Sequence, residues 1–344
     1  MELLLNIALL ALLLITATAI ACTKDLFAAA MLAGIYGLLS ASFFMTMGAV
    51  DVAFTEAAVG AGIAPLLILL TLALCGRRQR PDRRRAALAL ALVAIVGALL
   101  LAATLDMPAF GAVDAPAHRH VAPRYITESM AEIGIPNIVT SVLASYRAFD
   151  TLGEVVVIFT AGLGVLALLL GGGESRSAVP SSVLQSGGQS RDLVLRVTAK
   201  ILIAPIMLYA LYVQFHGEYG PGGGFQAGVI FAVGFILYGL VFGLDALHRV
   251  AGHGLVQLLA AVGVLVYGSV GLLGLASGRN FLDYGALAGD AVSGQHVGII
   301  AIELGVGITV AAVMILVFYA FFAQLRRLGQ LAVRDEEFAE GRAG

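Results

Sequence analysis

Long apolar runs, broken by short polar or glycine-rich stretches, organise this chain. A bilayer-spanning helix needs about 18 to 20 mostly apolar residues, and nine runs meet that length. The pattern predicts spans from Leu3 to Ile20, Leu26 to Met47, about Val52 to Leu74, and Ala86 to Leu105. It then predicts spans from Asp150 to near Leu170, Leu193 to Val213, Phe225 to Leu244, Leu255 to Ala276, and Val297 to Phe322. The fold class is therefore all-α, a polytopic membrane protein of about nine transmembrane helices. Asp106 to Glu132 is a polar excursion, and the half-apolar Gly134 to Tyr146 reads as a surface helix. A polar loop with Asp283 and Asp290 follows the eighth span, and a charged tail begins at Arg326. The first segment has no basic leader region and no small-residue cleavage site, so it reads as a retained helix.

One stretch breaks the pattern most sharply: His216 to Gly228, HGEYGPGGGFQAG. Proline removes a backbone donor and each glycine costs a helix interior about 1 kcal/mol. No helix runs unbroken through Pro221, Gly222, Gly223 and Gly224 into Phe225. The stretch reads as a rigid, closely packed re-entrant turn at or near the membrane surface. A second break, Gly171 to Ser190, is rich in Gly and Ser and reads as a linker. It divides the chain into residues 1–80 (three spans), 81–172 (two spans and an outer polar loop), a linker at 173–190, and 191–344 (four spans).

Composition agrees with the pattern and adds an orientation. The chain of 344 residues is 60% hydrophobic and 12% charged, with a net charge of -2. Soluble domains carry about 25% charged residues. No global field points to nucleic acid, and Cys22 and Cys75 make no metal or redox motif. Six arginines lie between Gly76 and Arg85, which marks that loop as cytoplasmic. With nine spans, the N-terminus is then outside and the C-terminus inside. Lys24, Arg176, Arg191, Arg249, Arg326 and Arg327 fall inside on the same count. Small-residue pairs at Gly224/Gly228 and Gly239/Gly243, with Gly268, Gly271 and Gly274, predict close helix packing in lipid.

Ionisable residues inside spans are costly and mark candidate sites. Asp51 and Glu56 begin the third span, but five residues at about 100° each point them roughly 140° apart. They read as outer-end caps or as ion-path groups, with Gly60 leaving room beside Glu56. Glu154 follows Asp150 and Thr151, so a capping box competes with an ion-path role. Lys200 lies about two turns into the sixth span; it snorkels or pairs with a carboxylate of a neighbouring protein. Glu303 sits two turns into the ninth span, buried against polar neighbours. His216 and Glu218 read as a weaker candidate for an outer ion exit. His118, Arg119 and His120 near Asp114 favour a solvated loop over a metal site. The glycine-rich stretch is no phosphate loop, because no Lys-Ser/Thr follows Gly224. Nothing predicts a soluble-type catalytic centre, a metal or a cofactor.

The motifs also resemble a known family. Asp25-Leu-Phe-Ala-Ala-Ala, with Gly48 to Gly62 (GAVDVAFTEAAVGAG), resembles the MbhD module of membrane-bound hydrogenases. Asn137-Ile-Val-Thr and Tyr146 to Glu154 (YRAFDTLGE) look like the MbhE module. From Arg191 on, His216 to Gly228 and Asn280-Phe-Leu-Asp-Tyr-Gly285 are similar to MrpB, also called MnhB. The resemblance implies a transporter component rather than an enzyme, in a multisubunit Mrp-type cation/proton (Na+/H+) antiporter of the bacterial inner membrane. Implied partners are the large antiporter-like MrpA and MrpD proteins and the small MrpC, MrpE, MrpF and MrpG proteins. It places motif acids on Glu56 and Glu154, and motif residues on Pro221 and Phe225. Asp150 and Asp283 belong to the same motifs. The departure is the fusion of three modules on one chain. The implied alternatives are an assembly component without its own ion path, or part of a redox-coupled, hydrogenase-like or complex-I-like assembly.

Overall fold

The computed structural model describes residues 2–79, 83–109, 111–170 and 192–343. The linker predicted at 173–190 lies outside the described residues. Nine of the described helices are long and apolar enough to cross a membrane. The first three are α1 (Glu2–Cys22), α2 (Leu26–Thr46) and α3 (Val50–Cys75). Then come α4 (Arg83–Thr104), two short helices in the polar excursion, α5 (Pro116–Arg119) and α6 (Ala122–Glu132), and α7 (138–146). The rest are α8 (Ala148–Leu170), α9 (Leu193–His216), α10 (Gly224–Phe242), the short α11 (Leu244–Val250), α12 (His253–Ala276) and α13 (Ala291–Ala343).

Several boundaries differ from the hydropathy reading, each for a local reason. Asp25 caps α2 by accepting from the Phe27 and Ala28 amides, and it also accepts from Arg77. That bond holds the Asp25 carboxyl below the usual carboxylate range and puts the first turn beside the arginine loop. The ninth span begins at Ala291, where Asp290 accepts from the Ser293 amide, six residues earlier than expected. Glu303 therefore lies three turns inside it, not two. Its helix also runs on through the charged tail. Hydropathy does not reveal α11: Gly243, at φ 91°, stops α10, and a new helix starts at once.

Helix α13 is the axis of the core. It packs on α12, α10 and α8, burying Ile299, Ile302, Val306 and Val310. Glycine sets these distances. Hypothetical Cβ atoms at Gly228 would stand 2.7 Å from the Gly307 oxygen and 2.8 Å from Val310. At Gly305 a Cβ would meet the Gly263 carbonyl at 2.7 Å, a crossing the glycine pairs of the sequence did not reveal. Of the expected small faces, Gly224/Gly228 is a true helix contact. Gly239 packs on Leu247 and Phe318 while Gly243 is a helix stop. Gly271 and Gly274 make room for Phe281 and Asn280 of the following loop, and Gly268 faces open space.

At the other extreme, none of the apolar window of α4 is buried, and only 11% of that of α1 is. Substituting Gly228 by Leu overpacks the α10/α13 crossing, at a cost of about 1–3 kcal/mol. Thermal unfolding in detergent is expected to fall by several degrees for Gly228→Leu and to stay put for Gly268→Leu. Equal stability of the two variants would contradict glycine-limited packing.

Candidate functional site: a carboxylate-lined cavity beside the glycine-rich turn

The turn from His216 to Gly224 is closed by its own backbone and by two side chains from α7 and its cap. The Gly223 amide donates to the Val213 carbonyl at 3.1 Å, folding the turn back onto the end of α9. Gly223 has φ 122°, a conformation open to glycine alone. A Cβ at Gly222 would stand 2.6 Å from the Val213 oxygen. Asn137 supplies the remaining donors. Its amide nitrogen donates to the carbonyls of Gly220 (3.0 Å) and Gly217 (3.1 Å), and at 3.4 Å to Asp51. Its oxygen accepts from the Val139 amide, and its backbone N–H donates to the Glu218 carbonyl. Thr140 adds a 2.6 Å bond to the Gly217 carbonyl. The segment predicted as a surface helix therefore buries one face: Ile135, Thr140, Ser141 and Ala144 are covered, while Ile138, Val139 and Leu143 stay exposed.

Two π-helical breaks shape the walls. In α3, residues Ala57–Ile63 are π-helical and the Ala64 amide donates to the Val59 carbonyl. Pro65, which has no N–H, lies directly beyond. Glu56 ends the α-helical part, and its carboxylate lies where a Gly60 side chain would be, so the space beside it is real. In α7 the Arg147 amide donates to Val142 instead of Leu143. The freed Leu143 carbonyl accepts from Thr151 at 2.8 Å. That corrects the capping box: Thr151 and Asp150 lie inside α8, Thr151 serves Leu143, and Asp150 pairs with Arg147 in the open. Two buried tyrosines anchor the same break, Tyr267 on the Ala148 carbonyl (2.8 Å) and Tyr284 on that of Ala144 (2.9 Å). Beyond the membrane-facing part, Glu132 accepts from Tyr146 and Arg124, and these bonds hold its carboxyl below the usual range. Burial, together with Glu132, pushes the Tyr146 hydroxyl up to about 12.

Against these walls lies a cavity of about 740 Å³ that brings together Asp51, Glu154 and Glu303, with Thr55, Thr140 and Gln226. Gln226 donates to Thr55 at 2.8 Å, and Asp51 accepts from the Gly222 amide at 3.3 Å. No side chain caps α3, so Asp51 serves the turn rather than its own helix. Glu303 accepts from the Gly224 amide at the N-terminus of α10, where helix polarity favours an anion. Glu154 is exposed on α8 at the cavity wall. Glu303 and Thr140 also line a smaller chamber of about 40 Å³, with Glu218, Gln214 and Ile299. Glu218 is bonded by His296 at 3.2 Å, not by His216, whose ring stacks on Tyr212 at 4.8 Å.

Three sequence candidates stand apart from the cluster. Glu56 does not line the cavity. His216 lines a separate cleft with Tyr209 and Pro221. Lys200 lies near Phe242, 5.8 Å from its ring, at the opposite end of α10 and about 27 Å along the helix from Gly224. Asp283 caps its loop by accepting from Gly285 at 3.1 Å, and Phe225 lines the cavity wall. Arg119 pairs with Asp114 at 3.4 Å, which takes the acid a metal would have used. The sequence reading missed Asn137, Thr140, Gln226 and His296 as site residues. For His296 a signal existed: seven residues before Glu303 is two helical turns on one stripe.

Comparison with known proteins places these modules. Residues 194–316 match MnhB, a domain related to the MnhB subunit of the Na+/H+ antiporter. Residues 11–77 match MbhD and residues 82–182 match MbhE, the D and E components of MBH. A putative antiporter subunit mnhB2 of Staphylococcus aureus (strain Newman) is 31% identical over 132 residues, 38% of this chain and 93% of that protein. The chain belongs to the Mrp-type antiporter subunit family. It carries an MnhB domain behind MbhD and MbhE modules. A probable K+/H+ antiporter protein of Rhizobium meliloti (strain 1021), an A/B subunit, is 30% identical over 238 residues, 61% of this chain. The chain spans about a quarter of that relative's length (23%). The Mrp complex of Dietzia sp. DQ12-45-1b superposes with a TM-score of 0.71 at 27% identity, over 91% of this chain and 34% of the matched one.

Replacing Asn137 by Leu strips the donor from the Gly220 carbonyl of this family member, while Gly217 keeps its bond from Thr140. The expected loss is about 1–3 kcal/mol, for one buried group left unsatisfied. Thermal unfolding of the detergent-solubilised protein measures it, and an unchanged midpoint would show that the turn holds without Asn137.

Proposed function

We propose that this chain is a working part of the ion path in a multisubunit Mrp-type cation/proton antiporter. It sits in the bacterial inner membrane with the N-terminus outside and the C-terminus inside. It exchanges Na+ for H+ together with the large antiporter-like MrpA and MrpD proteins and the small MrpC, MrpE, MrpF and MrpG proteins. The observation that carries the reading is the cavity itself. Asp51, Glu154 and Glu303 come from three separately matched segments and line one space. Buried or membrane-embedded acids are costly, and a fold that gathers three at one cavity spends stability that a purely structural unit has no need to spend. The fusion is consistent with the cavity: its walls come from α3, α8, α10 and α13, so the modules must sit together for it to exist. Residues 1–80, 81–172 and 191–344 act as the three modules, joined through 173–190.

The uncovered faces support a shared assembly. The helix α4 buries none of its apolar window within the chain, and Glu154 stands exposed on a span. A carboxylate facing hydrocarbon is unfavourable, so a neighbouring protein or water must meet it. Glu303 and Asp51 form the inner part of the path and Glu154 its wall toward the partner. Glu56, beside Gly60 on the π-helical turn, is a separate group outside this cavity.

The test is exchange by the intact complex in proteoliposomes, followed as cation-driven collapse of a pH gradient. Glu303→Gln and Glu154→Gln are expected to lower exchange at least about tenfold with normal assembly on native gels, in the range for loss of a positioned acid or base. Glu56→Gln is expected to lower it as well. Wild-type rates in Glu303→Gln and Glu154→Gln would leave the chain an assembly component only. Exchange that requires an electron donor would move it to a redox-coupled complex.

A further inference from the structure

Glu303 lines two cavities of different size. The first is the cavity of about 740 Å³ shared with Asp51 and Glu154; the second is the chamber of about 40 Å³ shared with Glu218. The small chamber has room for water. It offers a small fraction of the space of the wide cavity, so it is the narrower entry to Glu303. Its Glu218 end is unusual. One carboxylate oxygen takes the His296 bond, while the other, Oε1, is buried with no hydrogen-bond partner among the described residues. A buried carboxylate oxygen without a donor is costly. Glu218 and Glu303 both line the chamber, which has room for a water that the Glu218 carboxyl reaches once it rotates. Thr140 and Gln214 add a hydroxyl and an amide to the lining.

We infer that protons and cations reach Glu303 by separate routes: protons through His296, Glu218 and the small chamber, cations through the wide cavity. The inference rests on the reading of Glu303 as an ion-path residue. Each step moves one proton. The His296 imidazolium gives its Nδ1 proton to the Glu218 carboxylate, leaving neutral imidazole and a carboxylic acid. Rotation of that acid group turns its hydrogen to the chamber water. The water passes a proton on to the Glu303 carboxylate as it accepts the one from Glu218. His296 regains its proton from the aqueous face, and the reverse order releases protons. His296 and Glu303 share one stripe of α13, about 10 Å apart along the axis, with Glu218 from the turn between them. Other titratable groups around this route are Asp51 on α3, Glu154 on α8, and Tyr284 on the loop before α13. His216 faces the other side of the turn.

The intact complex, reconstituted in proteoliposomes, tests this with Glu218→Gln and His296→Gln beside Glu303→Gln. At pH about 9, where free protons are scarce, the first two are expected to slow exchange about tenfold. At pH about 6.5 the expected slowing is less than about twofold, and the cation concentration for half-maximal rate should not move. Added imidazole should restore His296→Gln at high pH. A flat pH response, or a shifted cation requirement, overturns the separate route while Glu303→Gln still reports on the ion path. Normal exchange in Glu303→Gln overturns that reading instead. A second check uses chemical modification. Labelling of Glu303 by a hydrophobic carbodiimide, read by peptide mass spectrometry, should be blocked by the transported cation equally in wild type and in Glu218→Gln. Loss of that protection in Glu218→Gln refutes the proposal.

Discussion

One asparagine side chain carries the junction on which the rest depends. A proline and glycine turn inside an apolar bundle leaves carbonyls that no helix can satisfy, and at membrane depth each would cost several kcal/mol. Asn137 meets two of them and reaches Asp51, while Thr140 doubles the bond to Gly217. Asparagine suits the position because its amide offers two hydrogens and its oxygen can still cap the helix that begins at Ile138. Three sequence-distant segments are thereby held together at one point: the start of α3, the start of α7 and the turn before α10.

The same solution recurs at the other backbone defects. The π-helical turn at 142–146 frees a carbonyl at Leu143, and Thr151 takes it. Tyr267 and Tyr284 reach across from the last module to the carbonyls of Ala148 and Ala144. Helix interruptions in lipid survive only where neighbours supply the missing partners. The proline-glycine turn and the break at 142–146 therefore each lock one module to another, and the cavity lies between these locks. Glycine completes the arrangement, since α10 and α12 approach α13 closely enough for backbone to meet backbone at Gly228 and Gly305.

Charge placement follows from these locks. Glu303 lies in the core of the bundle but finds the N-terminal amide of α10, and Asp51 finds the turn amide of Gly222. Backbone donors of an interrupted helix are a fixed, positively polarised wall, well suited to an acid that gains and loses a cation or proton. Glu154 differs, because it stands exposed at the cavity wall. The apolar window of α4 is likewise uncovered within the chain, as the proposed assembly requires.

Hydropathy alone determined the nine spans, because twenty apolar residues can satisfy their backbone in a bilayer only as a helix. The glycine-proline break was legible for the same reason, as was the candidacy of Asp51, Glu154 and Glu303, since charge inside a span is expensive wherever it stands. Residue chemistry could not say which acids meet. Asp51 and Glu56 are neighbours in sequence yet face different surroundings, and Lys200 sits a helix length from the carboxylates it was grouped with. Thr151 looked like a cap by spacing, but a π-helical turn upstream moved the helix start and gave its hydroxyl another carbonyl. Asn137, Gln226 and His296 acquire their importance only when segments more than 70 residues apart are brought within hydrogen-bond reach. Periodicity reports what each helix buries; which polar groups then face one another is decided by helix crossings, and here those crossings are set by glycines and backbone breaks.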